Sequence, residues 1–546
     1  MVTHEPVDGG CGEVVGGEGA GGVAGATRAY VCPQRDQLFL VPVSMRDWVD
    51  QGHLAWFVID VVGELDTGAL HRRPGGAPGR PPYDPEMMCA LVLYAYCCGM
   101  RSSRRIEDAC RTDAALRVIC GGLVPDHATI ARFVVDHERA LAGLFVSGLR
   151  LCAAAGLVDL SVVALDGTKM AADAALDRNR DAAWIRREVA KLLAATCAPD
   201  QAQPPAQATL AGSDAAAAGE LTGPSARLTR LRAALAVIEA EEVAAAKVAH
   251  AQAEAARDAA RQGRKLRGRK PTNPAAALAR AQADHQAALT RVQAKQAERA
   301  AKIAAARAAG RAMGGFAPGP DRALARAEAA LSAAHERAAQ QAAEGTPTAV
   351  AEVNVTDPDS RIMRTAHGWV QGYNAQAIAN GHQIVLACDV SQHAGDVLLY
   401  EPMMTRLADT LAAAGITAPI GLALADAGYW SEANATTPGP DRLIATIKDH
   451  KQRRAARDLG HTTGPAPHDA APIDAMEHRL RTPEGAAAYA QRSHTIEPVF
   501  ADRKTNRAMP GFRRRGLPAA KSEWAFMHLA ANLLKLRQHR TAAATT

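Results

Sequence analysis

Three aspartates end apolar runs that read as β-strands: Asp166 in VVALDGTK, Asp389 in IVLACDVS and Asp426 in LALADAGYW. Strand C-termini are where α/β sheets place functional side chains, because the backbone turns outward there and leaves a crevice. An acid directly after several apolar residues is poorly solvated unless something cationic compensates it. A turn or helix cap accounts for any one of them, but two or three in one sheet point to a hard divalent cation, which prefers carboxylate oxygens. A further carboxylate, Glu497 in RSHTIEPVFADRK, lies on a predicted helix with Lys504 seven residues on. That spacing puts both on one helix face two turns apart, a carboxylate for a metal beside a lysine for a phosphate. An exposed Glu and Lys on an amphipathic helix would show the same spacing. His393 and Asp396 in SQHAGD read as a helix-start cap.

These residues need a sheet and helices to hold them. The segments 53–65, 84–100, 103–120 and 129–156 carry apolar residues at three- and four-residue spacing, broken by Gly/Pro clusters at 74–82 and 121–125. Asp84-Pro85 and Asp126 with Thr129 are helix-start signals, so 28–157 reads as an all-α domain. Its SRRIEDAC and PDHATIARF stretches, joined by a short turn, would form a helix-turn-helix offering Arg104, Arg105 and Arg132 to DNA. An ordinary helical bundle with surface arginines fits the same pattern.

Residues 181–345 change character: thirteen of the thirty residues 281–310 are alanine, and most of the rest are Gln, Arg, Lys and Glu. Such composition favours helix with a thin apolar seam, so 226–260 and 274–309 are expected as the arms of an antiparallel hairpin, with a third helix at 321–344. Their join at 261–274 is rich in Lys and Arg, and its Arg267-Gly268-Arg269 is similar to short minor-groove elements; a solvated hairpin tip is the plainer reading. Beyond 345 the runs 350–357, 372–380, 382–390 and 419–426 read as strands, as does LSVVALD at 160–166. One α/β domain, spanning 158–180 and 346–546, is therefore expected to be interrupted by the Ala-rich helices, an insertion that costs little when its ends are close. Residues 1–27, Gly-rich with nothing to bury, read as a disordered tail.

With these elements in order, the chain resembles bacterial insertion-sequence transposases of the DDE type, in the group related to IS5 and IS1182 elements. The likeness runs from about 40 to 540, omitting the Ala-rich hairpin. It rests on SSRRIEDAC, PDHATIARF, LDGTKMAADAA, TDPDSR, GYNAQ, ADAGYW, EPVFADRK and FRRRG, all in family order. The resemblance implies a ribonuclease H-like catalytic domain with Asp166, Asp426 and Glu497 as a metal-binding triad, leaving Asp389 a structural role. It implies two Mg²⁺ or Mn²⁺ ions, DNA cleavage by water and strand transfer by the freed 3′-hydroxyl. It also implies a Tyr/Arg/Glu/Lys helix, here Tyr489, Arg492, Glu497 and Lys504. The five-residue step from Arg492 to Glu497 rotates Arg492 off the glutamate's face of a regular helix. The partners implied are double-stranded DNA, at element ends and target, and a second copy of the chain for synapsis.

Charge agrees with a polyanionic partner. The chain of 546 residues carries a formal +6, yet residues 501–540 hold ten Lys/Arg against two acids, including the strip Arg513, Arg514 and Arg515. The ten cysteines form no CxxC pair and read as reduced, buried thiols of a cytoplasmic protein. No signal peptide or 18-residue apolar run occurs, nor a Walker A loop, GxSxG or HExxH motif. A hydrolytic nuclease on the same fold, and an inactive DNA-binding or helical interaction protein, are the competing readings.

Overall fold

The computed structural model describes residues 44–71, 82–197, 224–262, 273–310, 321–344, 352–366, 368–448, 454 and 460–545. The expected tail at 1–27 and most of the basic 261–274 join lie outside them. Helices α1 (Leu54–Glu64), α2 (Pro85–Cys97), α3 (Ser103–Thr112), α4 (Ala114–Ile119), α5 (His127–Asp136) and α6 (Glu138–Ala154) come first. Asp84 caps α2 through the N–H groups of Glu86 and Met87, with Pro85 in the first turn, and Asp126 caps α5 through Thr129. Helix α2 is buried almost all round, the mark of a helix enclosed by core.

A short helix-turn-helix from α3 to α5 is not what forms. Asp113 accepts hydrogen bonds from the N–H groups of Ala115 (2.8 Å) and Leu116 (3.3 Å), restarting the chain as α4 directly after α3. Gly121 and Gly122, both at positive φ, end α4 and let α5 return against α3. Glu107 on α3 then accepts from the backbone N–H of His127 at 3.0 Å and meets its Nδ1 at 2.6 Å.

The sheet follows a mixed pattern. Strand β1 (Val162–Ala171) pairs antiparallel with β5 (Gly368–Asn380), whose start pairs with β4 (Arg361–Thr365) and whose later part pairs with β6 (Val385–Ser391). On its other side β1 runs parallel to β7 (Leu422–Ala425), itself parallel to β8 (Asp441–Ile444). The strand expected at 160–166 thus joins strands more than 200 residues away in sequence. The expectation missed β4 and β8, and among the described residues 352–357 of the expected strand only β3 (Val353–Asn354) is extended.

Between β1 and β5 the chain leaves the sheet through β2 (Asn179–Arg180), which pairs with β3. Helices α7 (Ala182–Cys197), α8 (Pro224–Arg261), α9 (Pro274–Ala308) and α10 (Arg322–Glu344) lie between those two short strands. Helix α9 packs on both α8 and α10, burying Ala276, Ala279, Ala283 and Ala287 at three- and four-residue spacing, with Ala288 beside the last. Where α7 and α8 meet β3, Ile185, Leu231, Ala234, Ile238 and Val353 form a separate small core.

Helices α11 (Tyr400–Ala413), α12 (Glu432–Thr436), α13 (Pro472–Arg481) and α14 (Pro483–Ala501) surround the later strands, and α15 (Leu517–Thr545) closes the chain. Helix α15 packs on α6, α2 and β6, with Trp524, Leu529, Leu533 and Leu536 buried. Its Asn532 donates to the Val385 carbonyl (2.8 Å) and accepts from the Val385 N–H (2.9 Å), tying α15 to the start of β6. The first six helices and the sheet therefore share one continuous apolar core, in which the chain at 157 marks no break. Cys89, Cys97, Cys110, Cys120, Cys152 and Cys388 are buried free thiols, whereas Cys98, expected inside, is exposed where α2 ends. Among the described residues no helix is long and apolar enough to cross a membrane.

Candidate active site

The last parallel pair between β1 and β7 is Leu165 with Ala425, so Asp166 and Asp426 follow at matching positions on neighbouring strands. Adjacent strands lie about 4.8 Å apart, which sets the two acids side by side. Asp426 accepts from the N–H of Gly428 at 2.9 Å, capping the short turn Ala427–Tyr429. Asp166 accepts from the N–H of Gly167 at 2.7 Å. Burial first, then the neighbouring Asp426 charge, push the Asp166 carboxyl up to about 7 despite Arg492 beside it.

Helix α14 crosses β1, β5 and β7 and carries Glu497, the third candidate acid. Its Arg492, only 5% exposed, donates from Nη1 to Asp166 Oδ2 at 3.0 Å and from Nη2 to Glu497 Oε1 at 3.5 Å. The five-residue step does not turn Arg492 away: its long side chain reaches round to Glu497 while Asp166 anchors it. Its guanidinium also lies 6.0 Å from the Tyr489 ring centre. Glu497 is mostly exposed at the rim.

Lys504 reaches the acids by a different route from the one expected. Pro498, inside α14, has no N–H for the carbonyl of His494, and Gln383 Nε2 donates to that carbonyl instead at 3.1 Å. After Ala501 the chain widens into a π-helical turn, Asp502–Asn506, so Glu497 and Lys504 do not share one regular α-helical face. Lys504 Nζ donates to Thr168 Oγ1 at 2.6 Å and to the Lys169 carbonyl at 3.1 Å, just beyond Asp166 on β1. Burial, and secondarily the Lys169 charge, lower its pKa.

One acid at this site has a role other than the expected cap. Asp396 precedes the short turn Val397–Leu399 without capping it; its Oδ1 accepts from Asn374 Nδ2 (2.7 Å), Gln376 Nε2 (3.1 Å) and Lys169 Nζ (3.3 Å). Gln376 in turn accepts from the Tyr429 hydroxyl. A Cβ on Gly167 would stand 2.1 Å from Gln376 Nε2, and one on Gly428 would stand 3.0 Å from Asp426 Oδ1 and 3.2 Å from Asp396 Oδ2. The glycines after each aspartate in LDG and DAG therefore leave room for this network. Asp396→Ala, which strips acceptors from Lys169, Asn374 and Gln376, is expected to lower catalytic turnover about 10–100-fold while the protein stays folded; unchanged turnover would refute it.

The remaining expected residues are spread out. Asp389 lies on β6, 2.9 Å from Lys521 of α15, and does not join the acids. Arg514 is paired with Glu138, and Arg515 with Asp173 at 2.9 Å, while the backbone N–H groups of Arg513 and Arg514 donate to Glu523. The Arg513 side chain is exposed, as are Arg104, Arg105 and Arg132 on α3 and α5.

For a divalent cation, Asp166 and Asp426 have the right donor chemistry, and their mutual repulsion is what a cation would relieve. Among the described residues no three His, Cys, Asp or Glu side chains are gathered closely enough to hold a metal, because Arg492 stands between Asp166 and Glu497. The buried charge has a measurable consequence without metal. A carboxyl whose folded pKa is raised destabilises the fold once deprotonated, so the penalty is complete above about pH 7 and fades as pH falls toward the unfolded value. Asp166→Asn is thus expected to raise the melting temperature at pH 8 in chelator, with a smaller gain at pH 5; an equal gain at both would contradict it.

Residues 43–136 match a family model described as "Transposase domain (DUF772)", and residues 452–537 match one described as "Transposase DDE domain". No curated protein and no solved structure matches the chain.

Proposed function

Because the chain belongs to the DDE transposases of insertion sequences, we propose that it cuts DNA at the ends of such an element, of the IS5/IS1182-related group, and joins those ends to target DNA. The observation that carries this reading is the abutting pair Asp166 and Asp426 on parallel strands, with Glu497 tied to Asp166 through Arg492. The antiparallel β1, β5 and β6 continued by parallel β7 and β8 agree with a ribonuclease H-like sheet.

Asp166 and Asp426, joined by Glu497 once Arg492 gives way, would hold Mg²⁺ or Mn²⁺, which when bound activates the attacking oxygen and steadies the leaving one. Before substrate arrives, Arg492 neutralises Asp166 and Glu497, and the Asp396 network fixes Lys169 and Tyr429 around them. Lys504, held at Thr168, places an ammonium beside the acids where a phosphate enters. Arg513 and the exposed arginines of α3 and α5 offer salt-dependent contacts to the duplex backbone. Cleavage with water and joining with a 3′-hydroxyl are both in-line phosphoryl transfers, so one site serves both. Two DNA ends must be held at once, which calls for a second copy of the chain.

The test is to incubate purified protein and Mn²⁺ or Mg²⁺ with a labelled element-end duplex and a target plasmid, and resolve the products. Joined product supports the transposase reading. Cleavage without joining would replace it with a nuclease, and no chemistry on a verified end would leave a DNA-binding or structural protein.

A further inference from the structure

A second basic site lies where the helical insertion meets the sheet. A cavity of about 260 Å³ is lined by Arg178, from the turn after β1, Arg227 and Arg230 of α8, and Arg515, with Trp184 of α7 on its wall. Arg227 pairs with Glu188 at 2.7 Å and Arg515 with Asp173 at 2.9 Å. The Arg178 side chain has no acidic partner among the described residues. Burial first, then the like charges of Arg515 and Arg227, depress the pKa of Arg230.

Even with Glu188 and Asp173 beside two of them, four arginines line this one cavity, and their planar forks match the oxygens of a phosphate. The cavity lies on the chain that continues from β1, twelve residues after Asp166 at Arg178, and it takes Arg515 from the segment that follows Lys504. We propose that the cavity binds a backbone phosphate of the DNA, bridging the helical insertion to the catalytic sheet. The proposal rests on the transposase reading for its ligand, but not for its geometry.

A phosphate contact carries charge without sequence information, so it shows in the salt dependence of binding. The experiment uses the full chain in chelator and measures dissociation constants for an element-end duplex and a scrambled duplex across a salt series. It compares wild type, Arg178→Gln/Arg230→Gln, and Lys247→Gln/Arg337→Gln as a control of equal charge loss on the insertion helices. The expected result is that the cavity variant weakens both duplexes alike, about tenfold, and flattens the slope of log affinity against log salt by about one. The control should do neither. An unchanged slope in the cavity variant, or an equal change in the control, would overturn the proposal. Strand transfer by the wild type, run alongside, reports separately on the transposase reading: its loss would overturn that reading while the slopes still decide the cavity.

Discussion

Asp166→Ala, Asp426→Ala and Glu497→Ala are each expected to lose joined product by more than about 10³-fold, while Asp389→Ala stays close to wild type. The first two acids abut across parallel strands, and Glu497 is linked to Asp166 through Arg492, so each removal takes a carboxylate from the same connected site. Asp389 is engaged by Lys521 on another part of the sheet. All four variants should bind the element-end duplex with wild-type affinity, because the exposed arginines are untouched. Loss of joining in Asp389→Ala with retention in Glu497→Ala would reassign the third acid. Quantified strand transfer, paired with gel-shift affinity for each variant, reads both outcomes.

The largest expected effect on stability is at Glu523, 2% exposed on α15. Its carboxylate accepts from Arg101 Nη1 at 2.9 Å and from the backbone N–H groups of Arg513 (3.0 Å) and Arg514 (3.2 Å). Arg101 also donates to the Gly511 carbonyl at 2.6 Å, so one acid fastens the loop after α2 to the arginine-rich turn before α15. Glu523→Ala leaves the buried Arg101 charge and two N–H groups without it, a loss of about 3–5 kcal/mol. Denaturant unfolding should show this, with Glu523→Gln in between because its amide oxygen still accepts. A cost under about 1 kcal/mol for the alanine variant would show that water replaces the carboxylate.

Much of the site was legible because its residues sit at ends of apolar runs. Asp166 and Asp426 stand out as the acids that end the apolar runs VVALD and LALAD, and the register of β1 with β7 makes them neighbours. Period alone cannot say which strands pair, so Asp389 looked equivalent until β6 proved to lie beyond β5 from β1. Asp396 was hidden for another reason: a short polar segment has one local pattern for a cap and for a distant acceptor, and only the folded sheet brings Asn374, Gln376 and Lys169 to it. Arg492 and Lys504 were misplaced by assuming a uniform α-helix, when side-chain length corrects one and a proline followed by a π turn redirects the other. Strand β8, four residues long, carried too little pattern to detect.

The paired β2 and β3 are two residues each, yet they gather the start and end of everything from α7 to α10. Helix α8 alone, at 38 residues, is about 57 Å long, and α9, at 35, is nearly its equal. A span of that size exceeds one and a half turns of B-form DNA, at about 34 Å per turn. The insertion is therefore an arm with a narrow root: adding or removing whole helical turns along it would leave the two paired positions beside the sheet where they are.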